Sequence, residues 1–475
     1  MFSSGDATLS EEKLRNRTFD ELAIGEAASI TRVVGRSDID LFAAVSGDAN
    51  PAHLDADFAA TDLFGHVVAH GMWTAALVSA VLGTRLPGPG TIYLGQTLSF
   101  RRPVTPGDAI TVTATVREKR AERRVVLETV AVNQRGDRVL EGEATVIAPE
   151  RAVEWPRPDL PDVNLRRHDR YEAFVRDARA LPTLSAALVH PCSPEAIAAA
   201  VELRLQGLLE PVLVGPEAKI RAAADEAKVS LDGLRIVPTE HSHAAAARAV
   251  ELAATGEVAA LMKGSLHTDE LLAAVIAPNS GLRTARRVSH VYAMDVPAYP
   301  KPLIVTDAAI NIQPTLEHKR DICQNAIDLL RLVGVERPKV AVLAAVETVS
   351  AKMPSTLDAA ALTVMAARGQ ITDADVDGPL AFDNAISPDA AKIKGIASPV
   401  AGQADILLVP DLEAGNMLAK QLIYFGGADA AGLVLGARVP IILTSRADSL
   451  RTQIASAALA KLVASRQAAQ ARMPR

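Results

Sequence analysis

The hydrophobic pattern of this chain changes period once, near residue 150, and that break constrains its fold more than any other feature. Before the break, residues 91 to 148 alternate apolar and polar. In TVTATV, Val112, Ala114 and Val116 point one way and the threonines the other. The run RRVVLETVAVNQRGDRVLEGEATVIA reads as two extended segments joined by QRGD, with Gly136 supplying the turn. An antiparallel sheet is expected. Ahead of it, a helix from Met72 to about Leu82 is apolar on nearly every side, which predicts burial. One long buried helix against a curled antiparallel sheet is an α+β layer arrangement.

Four prolines fall between 149 and 161, and residues 151–174 read as a Pro-rich linker between domains at 1–150 and 175–475. Beyond it, short apolar strands alternate with Ala-rich helices. PVLVG, VAALMKG, PLIVTD, KVAVLAA, ADILLVP and PIILT are strand candidates, and PTLEHKRDICQNAIDLLRLV is a helix candidate. This βαβ texture predicts a parallel sheet covered on both faces. Its length favours two α/β subdomains with a cleft between them.

Composition narrows the function. The chain has 475 residues, 49% hydrophobic but only 3% aromatic, so its cores rest on Ala, Val, Leu and Ile. A net charge of −6 argues against a chain-wide attraction to nucleic acid or anionic membrane. Cys192 and Cys323 make neither a metal spacing nor a disulfide framework. The N-terminal residues lack the apolar core of a signal peptide, and a cytoplasmic protein is expected.

Residues 46 to 55 read SGDANPAHLD. Pro51 biases Asn50 away from helical geometry, so the chain bends there. Asp48 and His53 then face one pocket, a pairing suited to proton transfer to and from water. AHGM at 69 to 72 leads into the apolar helix. Free N–H groups at a helix start stabilise a developing oxyanion, and Gly71 leaves room for close approach. These parts suit addition of water to a double bond conjugated with a carbonyl. His66 and His70 flank the helix entry, and both are read as packing residues.

SGDANPAHLD followed by FGHVVAHGM and a long apolar helix resembles the MaoC-like (R)-specific enoyl-CoA hydratases, over about residues 15 to 148. The resemblance implies a hot-dog fold, trans-2-enoyl-CoA as substrate, a 3-hydroxyacyl-CoA as product, and sites near a dimer interface. It matches Asp48 and His53 to the catalytic pair and Gly71 to the oxyanion hole.

In parallel α/β sheets, ligands gather beyond the C-terminal ends of the strands. The residues found there are Lys263 and Ser265 after VAALM, Asp307 and Asn311 after PLIVT, Asn416 after ILLVP, and Ser445, Arg446 and Asp448 after PIILT. A hydroxyl and a guanidinium at a helix entry suit a phosphate. The simpler reading of SRADS is a helix cap with a surface arginine. No phosphate-binding GxxxxGK[ST] loop occurs, and no GxGxxG follows a strand.

GQADILLVPDLEAGNMLAKQLIYFGGADAAGLVLGARVPIILTSRADS, with MKGSLHTDELL, SGLRTARRVSHV, NAIDLL and GPLAFDNAIS, resembles the phosphate acetyltransferase and phosphate butyryltransferase family, over about residues 175 to 470. The resemblance implies an isocitrate-dehydrogenase-like α/β/α fold in two subdomains and acyl transfer between coenzyme A and inorganic phosphate. It assigns Arg446 to phosphate or acyl phosphate and Ser445 to the transition state. The acetyltransferase branch has an acid seven positions after that serine, where this chain has Thr452. It also has an arginine where TDELLAAVI has alanines, and Arg283 is a substitute. The departures keep a rival open, a transferase-like domain that senses acyl-CoA without turnover. The two resemblances imply a bifunctional acyl-CoA enzyme, with no metal or other cofactor, that assembles as a homo-oligomer of dimer size or larger.

Overall fold

The computed structural model describes residues 13–161, 163, 165, 169–444 and 448–472. The chain divides into two compact units, Met1–Arg166 and Arg167–Arg475.

In the first unit, alternation builds the sheet. Strands Ala27–Val33, Ala109–Lys119, Arg124–Val132, Arg138–Ile147 and Ile92–Gln96 lie in that order, with Ser99–Phe100 beside Arg138–Ile147. Every pairing is antiparallel. Val112, Ala114 and Val116 are fully buried, and they form one core with Trp73, Leu77, Val78, Val81 and Leu82 of the helix Gly71–Thr84. A sheet wrapped on one long helix is the hot-dog arrangement. The helix is not buried all round: Met72, Ala76, Ser79 and Gly83 form an exposed stripe at helical spacing.

The segment expected as a linker has structure at both ends. Glu154–Pro156 pairs antiparallel with Lys13–Arg15 in the first unit. The helix Asp169–Arg179 belongs to the second, where Phe174 and Val175 pack on the main core.

The second unit is built on one eleven-stranded sheet. Its order is Arg235–Pro238, Leu209–Gly215, Leu184–Val189, Ala260–Lys263, Ile441–Ile442, Asp429–Leu435, Ser289–Asp295, Leu303–Thr306, Ile406–Leu408, Lys339–Leu343, Asp375–Leu380. The sheet is not wholly parallel, as the βαβ texture suggested. Asp429–Leu435 runs against Ile441–Ile442, and Ser289–Asp295 runs against both of its neighbours. The cause is loop length. Residues 296–302 and 436–440 are too few for the crossover that parallel neighbours need, so both connections are hairpins. Two parallel blocks therefore run in opposite directions. Alternation along the strands sorts the cores. One face carries a continuous core through Leu188, Met262, Val291, Ile304 and Val342. The other face carries two separate clusters, one around Val189, Leu261 and Val434, the other around Met294, Val305 and Leu407. This division is the two-subdomain character of an α/β/α unit.

Candidate functional sites

In the first unit the helix Arg36–Ser46 ends at Gly47, whose φ of 76° is left-handed and suits a residue without Cβ. The Asn50 side chain then accepts the Ala52 N–H at 3.1 Å and starts the short helix Pro51–Leu54. This double bend carries Asp48 and His53 to one place. The Asn50 N–H donates to Asp48 Oδ1 at 3.2 Å and orients the carboxylate. His53 Nδ1 lies 2.8 Å from the Val68 carbonyl. A carbonyl only accepts, so Nδ1 carries a hydrogen, and in the neutral ring the lone pair is then on Nε2.

His70 stands against this pair. Its ring centroid is 3.9 Å from that of His53, and its Nε2–H donates to the Asp48 carbonyl at 3.1 Å. Among the described residues, Asp48, His53 and His70 are the group whose ligand atoms, one from each, converge within 4.8 Å, so they are also the set that could hold a metal ion. Gly71 follows directly as the first residue of the long helix, and no side chain caps that start. Its N–H pole thus adjoins the acid and the base. The room expected at Gly71 is partly taken: a Cβ there would lie 2.9 Å from Phe100 Cε1. His66 makes no comparable approach in the described contacts. Reading the sequence placed His70 as packing and missed Phe100. Its signal was the position next to Gly71, which puts any side chain at the helix entry.

In the second unit, Ser445 and Arg446 lie outside the described residues. The residue before them, Thr444, lines a cavity of about 220 Å³ with Lys263, Gly264, Ser265, Ser193, Glu195 and Gln453. Two sequence candidates, Lys263 and Ser265, thus share this cavity with Thr444. Ser193 and Glu195 were missed because the strand Leu184–Val189 was missed, and the signal was Ser-Pro-Glu ahead of an Ala-rich run. Ser193 caps the helix Pro194–Leu205 by accepting the Ala196 N–H at 3.3 Å. Ser449 accepts the Thr452 N–H at 3.2 Å, so part of SRADS does serve as a helix cap.

The other described candidates are not brought to this cavity. Because the two parallel blocks run oppositely, the C-terminal end of Leu303–Thr306 points to the opposite sheet edge from that of Ala260–Lys263. Asp307 and Asn311 there are buried in a closed network. Asn311 Nδ2 donates to Asp307 Oδ2 at 2.5 Å and to the Val288 carbonyl at 2.9 Å, and Asn311 Oδ1 accepts from Arg287 Nε at 2.7 Å. Asn416 donates to the Ala308 carbonyl at 3.1 Å. Arg283 sits on an isolated bridge to Ala437. The half-buried Asp448 lies close enough to Tyr292 that its charge adds to burial in pushing that phenol up to about 12. Beside Tyr292, between the two clusters of the divided face, His290 is fully buried, and burial holds its imidazole down to about 4 despite Asp307 nearby.

The hot-dog unit and the transferase-type α/β/α unit define the class of chain, and comparison with known proteins agrees. A family model described as MaoC like domain matches residues 20–136, and one described as phosphate acetyl/butaryl transferase matches residues 240–461. The phosphate acetyltransferase of Rhizobium meliloti is 59% identical over 300 residues, which are 63% of this chain and 95% of that protein. A branched-chain phosphotransacylase from Enterococcus faecalis V583 is 31% identical over 59% of this chain and 99% of that one, with a TM-score of 0.53. The unliganded R-hydratase PhaJ1 from Pseudomonas aeruginosa is 46% identical over 33% of this chain and 100% of that one, with a TM-score of 0.32. The chain belongs to the phosphate acetyl/butaryl transferase family, with a MaoC-like hot-dog unit fused ahead of the family's domain. Among the described residues, no helix is long and apolar enough to cross a membrane.

Proposed function

We propose that the chain is a bifunctional acyl-CoA enzyme, a lyase followed by a transferase. The first unit hydrates trans-2-enoyl-CoA to 3-hydroxyacyl-CoA. The observation that carries this reading is the convergence of Asp48 and a His53 with a free Nε2 on the uncapped helix start at Gly71. Water oxygen adds to C3 and a proton is delivered to C2. Asp48 and His53 share the two proton transfers, and the Gly71 N–H receives the negative charge that develops on the thioester oxygen.

The second unit transfers an acyl group between coenzyme A and inorganic phosphate. A phosphate oxygen attacks the thioester carbonyl and the CoA thiolate leaves. The 59% identity to a phosphate acetyltransferase supports an active transferase over a silent acyl-CoA sensor. In this reading Arg446 binds phosphate, Ser445 hydrogen-bonds the transition state, and Lys263 and Ser265 contribute from the cavity they line. Coenzyme A thioesters and phosphate are the partners, and no further cofactor enters. A cytoplasmic homo-oligomer is part of the proposal. The exposed Ile92, Tyr93 and Leu94 on the edge strand of the first unit favour a second copy there.

The test follows free thiol release from acetyl-CoA and butyryl-CoA, with and without phosphate or arsenate. Release that requires the anion is expected, and the better substrate identifies the acyl chain. A protein that binds CoA but releases no thiol from either would replace transferase by sensor.

A further inference from the structure

We infer that His70 is a positioning residue of the first unit, a strut that holds Asp48 and His53 in place against Gly71. The inference rests on the hydratase reading above. The turn that carries Asp48 is exposed from residue 46 to residue 51. Its bonds are mostly local: the Asp48 N–H donates to Ser46 Oγ, and the Asn50 N–H donates to Asp48 Oδ1. Such bonds shape a turn but do not fix where it sits. Longer ties hold the short helix that follows: the Val68 N–H donates to the Ala52 carbonyl, His53 Nδ1–H donates to the Val68 carbonyl, and the Arg36 guanidinium donates to the Leu54 carbonyl. The tie that reaches Asp48 itself comes from His70, whose Nε2–H donates to its carbonyl across 22 positions of sequence.

His70 is placed to do this by the fold. It is the cap residue of the long helix, yet its side chain does not cap it. The ring turns inward instead, only 2% exposed, with Phe42 at 5.0 Å and His53 at 3.9 Å between centroids. One residue thus grips the acid through its main chain, abuts the base with its ring, and is bonded by a peptide to the proposed oxyanion donor. Packing alone does not account for it. Its Nδ1 is buried without a partner, a cost that an apolar ring of the same shape avoids. An imidazole that is worse than phenylalanine for packing is explained by the one thing phenylalanine lacks, the Nε2–H donor.

The experiment compares His70→Phe, which fills the volume without the donor, with His70→Gln, which restores an N–H near the same reach. Crotonyl-CoA hydration is measured on the full chain beside the parent and Asp48→Asn. Both tryptophans, Trp73 and Trp155, lie in the first unit, so their fluorescence reports whether that unit is folded. His70→Phe is expected to lower kcat roughly tenfold or more, as misplacement of reacting groups does, with KM changed less than about twofold. His70→Gln is expected to recover most of that loss. Parent kcat in a folded His70→Phe would overturn the inference, as would a folded His70→Gln no better than Phe. Should the Phe variant not fold, nitrogen NMR of the parent decides: the hydrogen is expected on Nε2, and a hydrogen on Nδ1 would overturn it. A parent without hydratase activity sinks the hydratase reading and this inference together. An active parent, a dead Asp48→Asn and an unaffected His70→Phe sink this inference alone.

Discussion

The two units assemble their sites in opposite ways. In the first, the proposed acid, base and strut and the helix start all fall between residues 48 and 71, around one bend. In the second, a single cavity collects Ser193, Lys263 and Thr444 from three distant strand ends. A site written in one turn tolerates little change within that turn but is indifferent to the rest of the fold. A site written across a sheet depends on strand order and direction.

The largest effect tests whether the two sites are independent. Asp48→Asn is expected to lower crotonyl-CoA hydration about 10²–10⁴-fold, the range for loss of a general acid or base, and to leave phosphate-dependent thiol release unchanged. Arg446→Ala is expected to do the reverse, abolishing phosphate dependence while hydration stays at the parent rate. If either variant impaired both reactions by similar factors, the picture of two separate sites would fail.

How much of each site is legible in the sequence follows from the same contrast. Asp48, His53 and Gly71 are readable because Gly47 and Asn50-Pro51 encode the bend that joins them, and turn chemistry is local. The antiparallel sheet is readable for the same reason, since Val112, Ala114 and Val116 declare a buried face within one strand. What His70 does is not readable, because its hydrogen bond is made to a carbonyl 22 positions away. In the second unit the strands are visible as apolar runs, but their directions are not. The reversal at Ser289–Asp295 separates Asn311 from Lys263, two residues that strand-end reasoning had grouped together. Ser289–Asp295 itself, SHVYAMD, carries His290 and Asp295 in a strand that spans the middle of the sheet, and no apolar run announces it.

That same histidine gives the next prediction, which concerns the second unit alone. His290 titrates near 4 when folded and near 6.5 when unfolded, because burial opposes its charge. Between those values the unfolded chain binds a proton that the folded chain refuses. Stability is therefore greatest above about pH 6.5 and declines as the pH falls toward 4. His190, also held down by burial, acts in the same direction. Urea unfolding of the second unit, followed by far-ultraviolet circular dichroism at pH 7, 6 and 5, should show the decline, and His290→Gln should flatten it. An equally steep decline in the variant would place the acid sensitivity elsewhere.

The smallest effect sets one glycine against another. Gly71 and Gly264 each stand at the entry to a proposed site, and each would clash with a Cβ. The obstacles differ in kind. At Gly71 it is the Phe100 ring, 2.9 Å away on a side chain that is half exposed and free to swing. At Gly264 it is main chain, the Val189 carbonyl oxygen and, at 2.9 Å, the His190 carbonyl carbon, at the end of a strand fixed by the sheet. Gly264→Ala is therefore expected to destabilise the second unit by about 2 kcal/mol or more, the scale of an overpacked interior. Gly71→Ala is expected to cost the first unit less than about 1 kcal/mol, because a surface side chain relaxes. Tryptophan fluorescence reads the first unit and circular dichroism the second. Equal losses at the two glycines would mean that Phe100 is held as firmly as a strand, and that the local site is less self-contained than its sequence suggests.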